Sequence, residues 1–210
     1  MSMQPENLHS LKGMRSRLRR FAAGEQGVTA IEFALVLPVV LLIMLGCFEV
    51  PRFVLVYQKI ARTSSGVADL VAQADEPITK NQMGDIYTAA KIMMQPYDIV
   101  ANGRIYVSSI NNPSGTGVTL TWQTNNSGLV ATASKLGAQG TNPTAKLPVT
   151  LVPGSNEEVL ASEVYFNYTP VFPNLIYSGS QLYMIAYTRP RNKNLNTPPP
   201  TVCPAGVSQC

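Results

Sequence analysis

Three residues near the N-terminus have the types and the spacing to support chemistry. Gly27 precedes Val28, and Glu32 is the fifth residue counted from Val28. Five Lys and Arg side chains lie within residues 12–20, whereas no residue from 33 to 48 carries a charge. A carboxylate inside such an apolar stretch costs several kcal/mol unless it is neutralised or paired. We therefore expect the Glu32 carboxylate to pair with a positively charged group.

Cleavage after Gly27 would supply that partner. Val28 would then carry a new, positively charged α-amine, and Glu32 would lie about one helical turn away from it. Two charges that are each unfavourable in lipid would offset one another, and we expect this pairing between neighbouring subunits. This arrangement resembles a type IV prepilin, with a basic leader that ends in glycine and a glutamate at the fifth mature position. The alternative is an uncleaved signal anchor with Glu32 at the headgroup boundary.

A narrower resemblance covers both ends of the chain. Residues 27–39 read Gly-Val-Thr-Ala-Ile-Glu-Phe-Ala-Leu-Val-Leu-Pro-Val and residues 46–50 read Gly-Cys-Phe-Glu-Val. They resemble the N-terminal signature of TadE-like proteins, which are pilin-like subunits of the tight-adherence (Tad, type IVc) pilus system, and residues 163–173 and 187–191 are similar as well. The resemblance implies a minor pilin or pseudopilin whose partners are a prepilin peptidase and other Tad pilus subunits. Tad major pilins are far shorter, so we do not expect the main building block of a filament.

The apolar run is long enough to cross a membrane, because about 20 helical residues span roughly 30 Å of hydrocarbon. The placement of charge predicts the orientation of this helix in the membrane. Residues 1–27 hold five Lys/Arg and two Asp/Glu, whereas residues 28–210 hold eleven Lys/Arg and ten Asp/Glu. A basic leader predicts a cytoplasmic N-terminus in the bacterial inner membrane and a periplasmic head, with incorporation into the pilus left open. The predicted domains are a leader (1–27), a transmembrane helix (28–50), an amphipathic helix extension (51–76) and an extracytoplasmic α+β head with a C-terminal tail (77–210).

Local patterns predict the elements of the head. Thr79 and Gln82 form a capping box before a helix, which Pro96 stops. Alternating segments at 104–110, 118–124, 157–169 and 181–188 predict four antiparallel strands. Residues 125–156 read as a surface excursion. The expected fold is pilin-like α+β, with the amphipathic half of the long helix packed on a small antiparallel sheet. The apolar stripe of the second helix consists of Met83, Ile86, Tyr87, Ala90, Met93 and Met94.

Two cysteines close to the C-terminus enclose six residues. In an oxidising compartment Cys203 and Cys210 would form a disulfide worth about 2.5 kcal/mol in the chain-entropy model. A redox or metal role for the pair would usually call for a tighter spacing or further Cys and His ligands. Cys47 lies in the apolar run and reads as a small packing residue.

The composition argues against other classes of function. The net charge of +4 resides mostly in the leader, which argues against a nucleic-acid-binding face. His9 is the only histidine, and no phosphate-binding loop or nucleophile motif is found, so we expect no enzyme, no metal and no cofactor. Two hypotheses remain: a structural assembly subunit, or an uncleaved, membrane-anchored periplasmic binding or adhesion module that would use the loops at 111–117 and 125–156.

Overall fold

The structure is a computed structural model that describes residues 25–74, 78–115, 117–172 and 178–191. Most of the predicted leader and the Cys203–Cys210 pair lie outside the described residues. The chain divides into two compact units, Met1–Val50 and Pro51–Cys210. In chain order the main elements are α1 (Glu25–Ala72), α2 (Lys80–Met94), α3 (Ile99–Asn102), β1 (Gly103–Asn111), β2 (Thr119–Asn125), β3 (Glu158–Tyr168) and β4 (Ser180–Thr188).

The first helix is long and changes character along its length. α1 has 48 residues and remains helical through Pro38 and Pro51. Its C-terminal part, from Pro51 onward, is amphipathic as predicted. The side chains that this part buries recur at a helical period: Val56, Ile60, Val67 and Val71, each at most 1% exposed.

The second helix begins where the capping box predicts. The Thr79 hydroxyl accepts a hydrogen bond from the Gln82 backbone N–H (3.3 Å), and the Gln82 side chain accepts one from the Thr79 N–H (2.8 Å). Two N–H groups that the helix leaves without partners are satisfied in this way. Met83, Ile86, Ala90 and Met94 are buried, whereas Met93, predicted for the same stripe, is 38% exposed. Met93 therefore lies at the edge of the apolar face.

The four predicted strands form one antiparallel sheet in the order β2-β1-β3-β4. β1 and β3 are the central strands and pair from Gly103 with Phe166 to Asn111 with Glu158. β2 pairs with the other side of β1, where the register shifts between Ser109 and Ile110. The fold is therefore α+β, as the sequence predicts.

One face of the sheet packs on α1 and α2. Trp122, Leu160, Val164 and Phe166 from the strands share a core with the buried side chains of both helices. The Ser64 hydroxyl of α1 donates a buried hydrogen bond to the Ser162 carbonyl (2.8 Å). Because a hydrogen bond is directional, this buried hydrogen bond fixes the position of α1 on β3 more closely than apolar contacts alone would.

The opposite face of the sheet is also covered, which the sequence does not predict. Leu136 and Leu147 come from the irregular segment 126–157 and are 2% and 6% exposed. They pack with Ile110, Leu120 and Ala161 in a second apolar cluster. The segment predicted as a surface excursion therefore forms one layer of the fold.

The chain returns to the end of α1 after β4. The backbone N–H of Arg191 donates to the carbonyl of Ala72 (3.0 Å), the last residue of α1. The Arg191 guanidinium also lies 3.3 Å from an Asp69 carboxylate oxygen. These contacts satisfy one of the carbonyls that a helix C-terminus leaves unpaired.

Candidate assembly site on the N-terminal helix

The three residues that the sequence singles out lie in the first turns of the described helix. Gly27 and Val28 are both helical, so the peptide bond between them lies inside α1. Glu32 follows Val28 by four residues, which corresponds to a rise of about 6 Å along the helix. Gly27 weakens the helix here by about 1 kcal/mol relative to alanine, so this turn opens more readily than its neighbours.

The surface around Glu32 is apolar and exposed. Its neighbours Ile31 and Phe33 are 67% and 64% exposed, and Leu35 is 74% exposed. α1 is the one helix, among the described residues, that is long and apolar enough to cross a membrane, and its most apolar window buries nothing within the protein. An apolar surface of this length has to be covered by lipid or by other helices.

Glu32 stands on this surface without a partner of its own. Within the described ranges no hydrogen bond or ion pair to its carboxylate is present, and the side chain is exposed. Cys47, further along the helix, is exposed and its thiol is free. An exposed carboxylate on an apolar helix can pair with a cation that another molecule supplies, such as an α-amine.

The C-terminal unit has a buried carboxylate that the sequence does not single out. Glu163 on β3 is 0% exposed, on the sheet face that segment 126–157 covers. Its Oε1 accepts hydrogen bonds from the Lys135 backbone N–H (2.9 Å) and from the hydroxyls of Tyr165 and Tyr183 (3.0 Å each). Its Oε2 accepts one from the Ser134 hydroxyl. We call these five residues the carboxylate cluster.

The carboxylate cluster is built for structure rather than for reaction. The Lys135 ammonium lies 3.7 Å from the centroid of the Tyr183 ring and makes a cation–π contact with it. Burial, followed by the charge of Glu163, raises the pKa of Tyr165 and of Tyr183, so both phenols stay protonated and keep donating. Because four donors satisfy the carboxylate and no solvent reaches it, it is not available to a substrate.

A metal site would require several ligating side chains close together in the described part of the chain. Among the described ranges no group of three or more His, Cys, Asp or Glu side chains could hold a metal ion. The predicted disulfide of Cys203 with Cys210 lies outside those ranges and stays a prediction. The feature most clearly suited to interaction is therefore the exposed apolar part of α1 with Glu32.

Comparison with known proteins agrees with the resemblance read from the sequence. The model of the TadE-like protein family matches residues 27–69, which begins at Gly27 and covers most of α1. No curated protein and no solved structure matches the chain. The family is associated with the Tad pilus and is structural rather than catalytic. Residues 27–69, which are 43 of the 210 residues, are thus similar to TadE-like proteins.

Proposed function

We propose that the chain is a minor pilin or pseudopilin of a Tad-type pilus and secretion apparatus, assembled through α1. The observation that carries the proposal is the position of Glu32 on an exposed apolar helix, five residues after Gly27 at the start of the TadE-like match. This role is structural, and we assign no reaction to the protein.

Processing by a prepilin peptidase would prepare the helix for assembly. Hydrolysis of the Gly27–Val28 peptide bond removes the basic leader and leaves Val28 with a protonated α-amine. Because this bond lies in a helical turn, the peptidase has to open that turn before cleavage, and the glycine lowers the cost of opening. The new α-amine then lies next to the surface on which the Glu32 carboxylate stands.

Assembly follows from pairing between subunits. The α-amine of one helix and the Glu32 carboxylate of its neighbour each carry a large penalty in hydrocarbon, and an ion pair removes most of both. Such a pair fixes the axial register of the two helices, while the exposed apolar side chains supply the contact area. The partners are other Tad pilus subunits, the prepilin peptidase and inner-membrane lipid.

The membrane topology of the proposal rests on charge. Residues 28–50 span the bacterial inner membrane as one helix, with the basic leader in the cytoplasm and the C-terminal unit in the periplasm. After processing the protein either stays in that membrane or enters the pilus with its neighbours.

The alternative function is a membrane-anchored periplasmic binding or adhesion module that is never cleaved. One observation favours it: the Gly27–Val28 bond is helical rather than extended, and proteases act on extended chains. Both functions place the protein in the same membrane with the same topology, so only processing and co-assembly distinguish them.

The first experiment is an intact-mass measurement of membrane-extracted protein from cells with and without the host's prepilin peptidase. A species that begins at Val28 and depends on the peptidase is the expected result. Full-length protein in both samples would favour the uncleaved, membrane-anchored module over the processed subunit.

A pair of variants then tests the role of Glu32. Glu32→Ala removes the carboxylate and should abolish co-purification with Tad pilus subunits while leaving membrane insertion intact. Val36→Ala is the matched control, because Val36 lies one turn further along the same helix, is 55% exposed and carries no charge. Normal co-assembly of Glu32→Ala would contradict the proposed pairing.

A further inference from the structure

Four apolar side chains are exposed together at one end of the sheet. Leu129 is 76% exposed, and Val100, Val171 and Phe172 are 37%, 38% and 36% exposed. We call these four residues the apolar rim. Beyond Tyr57, the described residues contain only three other large hydrophobic side chains that are as exposed, namely Ile92, Met93 and Val149. Four of the seven exposed large apolar side chains that are described after Tyr57 therefore lie at this end.

The pairing of the strands brings the rim together. Val100 lies three residues before Gly103, where β1 begins, and the Leu129 N–H donates to the Val100 carbonyl (2.9 Å). Gly103 is paired with Phe166 on β3. β3 ends two residues later, and Val171 and Phe172 follow within four residues of its end. All four side chains thus belong to the end of the sheet at which β1 begins and β3 ends.

The same end of the sheet holds the entry of the chain into the C-terminal unit. The ring of Phe53 packs edge-on against the ring of Tyr168, the last residue of β3, with centroids 5.4 Å apart. Phe53 is three residues after Val50, the last residue of the proposed membrane span, so the chain allows at most about 11 Å between their Cα atoms. The covalent connection therefore keeps this end of the sheet near the point where the chain leaves the bilayer.

The opposite end of the sheet has a different surface. There the loops after β1 and before β3 expose Gly115, Gly117, Gly154, Ser155 and Asn156, none of which carries a large apolar side chain. The difference between the two ends is not required by folding, because loops at both ends could equally have been polar.

The composition of the rim favours lipid over a charged partner. The three segments that form it, 97–103, 126–131 and 167–172, contain a single charged residue, Asp98, and the guanidinium of the adjacent Arg104 is bound to the Gly128 carbonyl (2.6 Å). That carboxylate is engaged in capping α3, where it accepts from the N–H groups of Val100 (2.9 Å) and Ala101 (3.2 Å). The remaining polar groups are Asn, Ser, Thr and Tyr, which suit the hydrated headgroup region. Aromatic and aliphatic side chains set among such groups are typical of surfaces that lie on a membrane interface.

We propose that the apolar rim rests on the bilayer surface, so that the C-terminal unit contacts lipid directly in addition to being anchored by α1. The proposal rests on the membrane anchoring of residues 28–50 described above. Insertion of four apolar side chains into the headgroup region would limit the tilt of this unit against the membrane before assembly. Departure of the subunit from the membrane into a filament would then require the rim to leave the lipid.

The test uses tryptophan fluorescence of the full chain in vesicles of phosphatidylcholine, with and without bromine atoms near the headgroup end of the acyl chains. Trp122 is the only native tryptophan and is 1% exposed in the core, so it supplies a constant background. Leu129→Trp and Phe172→Trp report on the rim. Val149→Trp is the matched control, because Val149 is 90% exposed and lies outside the rim. Leu42→Trp reports on the proposed membrane span.

Brominated lipid should quench roughly half of the emission added by Leu129→Trp and by Phe172→Trp, because an indole at the interface sits at headgroup level. The emission added by Val149→Trp should not change. Quenching of Leu42→Trp without quenching at either rim position would overturn the proposal while leaving the anchor in place. Absence of quenching for Leu42→Trp would instead refute the anchor itself. A blue shift at the rim that depends on protein density and not on bromine would identify a neighbouring subunit as the occupant, and would also overturn the proposal.

Discussion

Replacement of Glu163 in two different ways tests whether the carboxylate cluster holds segment 126–157 on the sheet. Glu163→Ala removes the acceptor of the Ser134, Tyr165 and Tyr183 hydroxyls, whereas the Lys135 N–H keeps the Tyr165 hydroxyl as a second acceptor (2.9 Å). Each buried donor without a partner costs about 1–3 kcal/mol, so the alanine variant should lose about 5 kcal/mol of the free energy of unfolding. A loss of this size is a large fraction of the stability of a typical domain.

Glu163→Gln should behave differently because of how the donors are distributed. Three of them bond the same oxygen, Oε1, and an amide oxygen in that place can still accept from all three. The amide nitrogen would face Ser134, whose hydroxyl can rotate to accept. Glu163→Gln then loses only the extra strength that the negative charge gives to these hydrogen bonds, and this loss is partly offset because an amide is less costly to bury than a carboxylate. We expect the free energy of unfolding to fall by about 1–2 kcal/mol.

The assay is equilibrium urea unfolding of the full chain in detergent, followed by Trp122 fluorescence. Glu157→Gln is the control: its side chain is 43% exposed and lies 3.3 Å from the Arg189 guanidinium, so its loss should cost less than about 0.5 kcal/mol. Equal losses for Glu163→Ala and Glu163→Gln would refute the reasoning. If both were small, the cluster would not hold the segment; if both were large, the charge and not the number of acceptors would matter.

Two further measurements use the same unfolding assay. The free energy of unfolding should fall as the pH rises above the ordinary tyrosine pKa of 10.0. Burial and Glu163 raise the pKa of Tyr165 and of Tyr183 in the folded state, so the unfolded state loses these protons first. Tyr183→Phe should reduce this pH dependence, and an unchanged slope would contradict the assignment. Gly128→Ala should destabilise the protein by about 2–3 kcal/mol, because its Cβ would lie 2.0 Å from the Gly103 carbonyl oxygen and the backbone there cannot shift without cost. Gly84→Ala in α2 is the control: its Cβ meets nothing within 4 Å, and it should stabilise the protein by up to about 1 kcal/mol. Equal effects of the two variants would show that the close approach at Gly128 is unimportant.

The parts of the fold that follow from neighbouring residues could be predicted from the sequence. The capping box of Thr79 and Gln82 needs only a spacing of three, and its geometry is present. Alternation within the segments predicted as strands placed all four to within two residues at either end. The sequence also places Val28 and Glu32 on one apolar helix, because the hydropathy pattern there is local. Gly27, which the sequence assigns to the leader, lies in the same helix.

The features that sequence reasoning missed depend on residues far apart in the chain. Glu163 receives its donors from Ser134 and Lys135, almost thirty residues earlier, in a segment with no helical or strand period. The one available signal was a glutamate in the middle of a strand, a position at which this residue is depleted. The apolar rim likewise joins three segments that are far apart in the chain, so no short stretch of sequence contains it.

The contact between Arg191 and the last turn of α1 has a practical consequence for experiments on the intact chain. About 30 Å of helix separates Pro51 from Ala72, where the Arg191 N–H is bound. An epitope, fluorophore or cross-linker inserted directly after residue 191 would therefore start from the far end of that helix. It would leave the apolar rim unobstructed, and its accessibility would report which compartment that end of the protein faces.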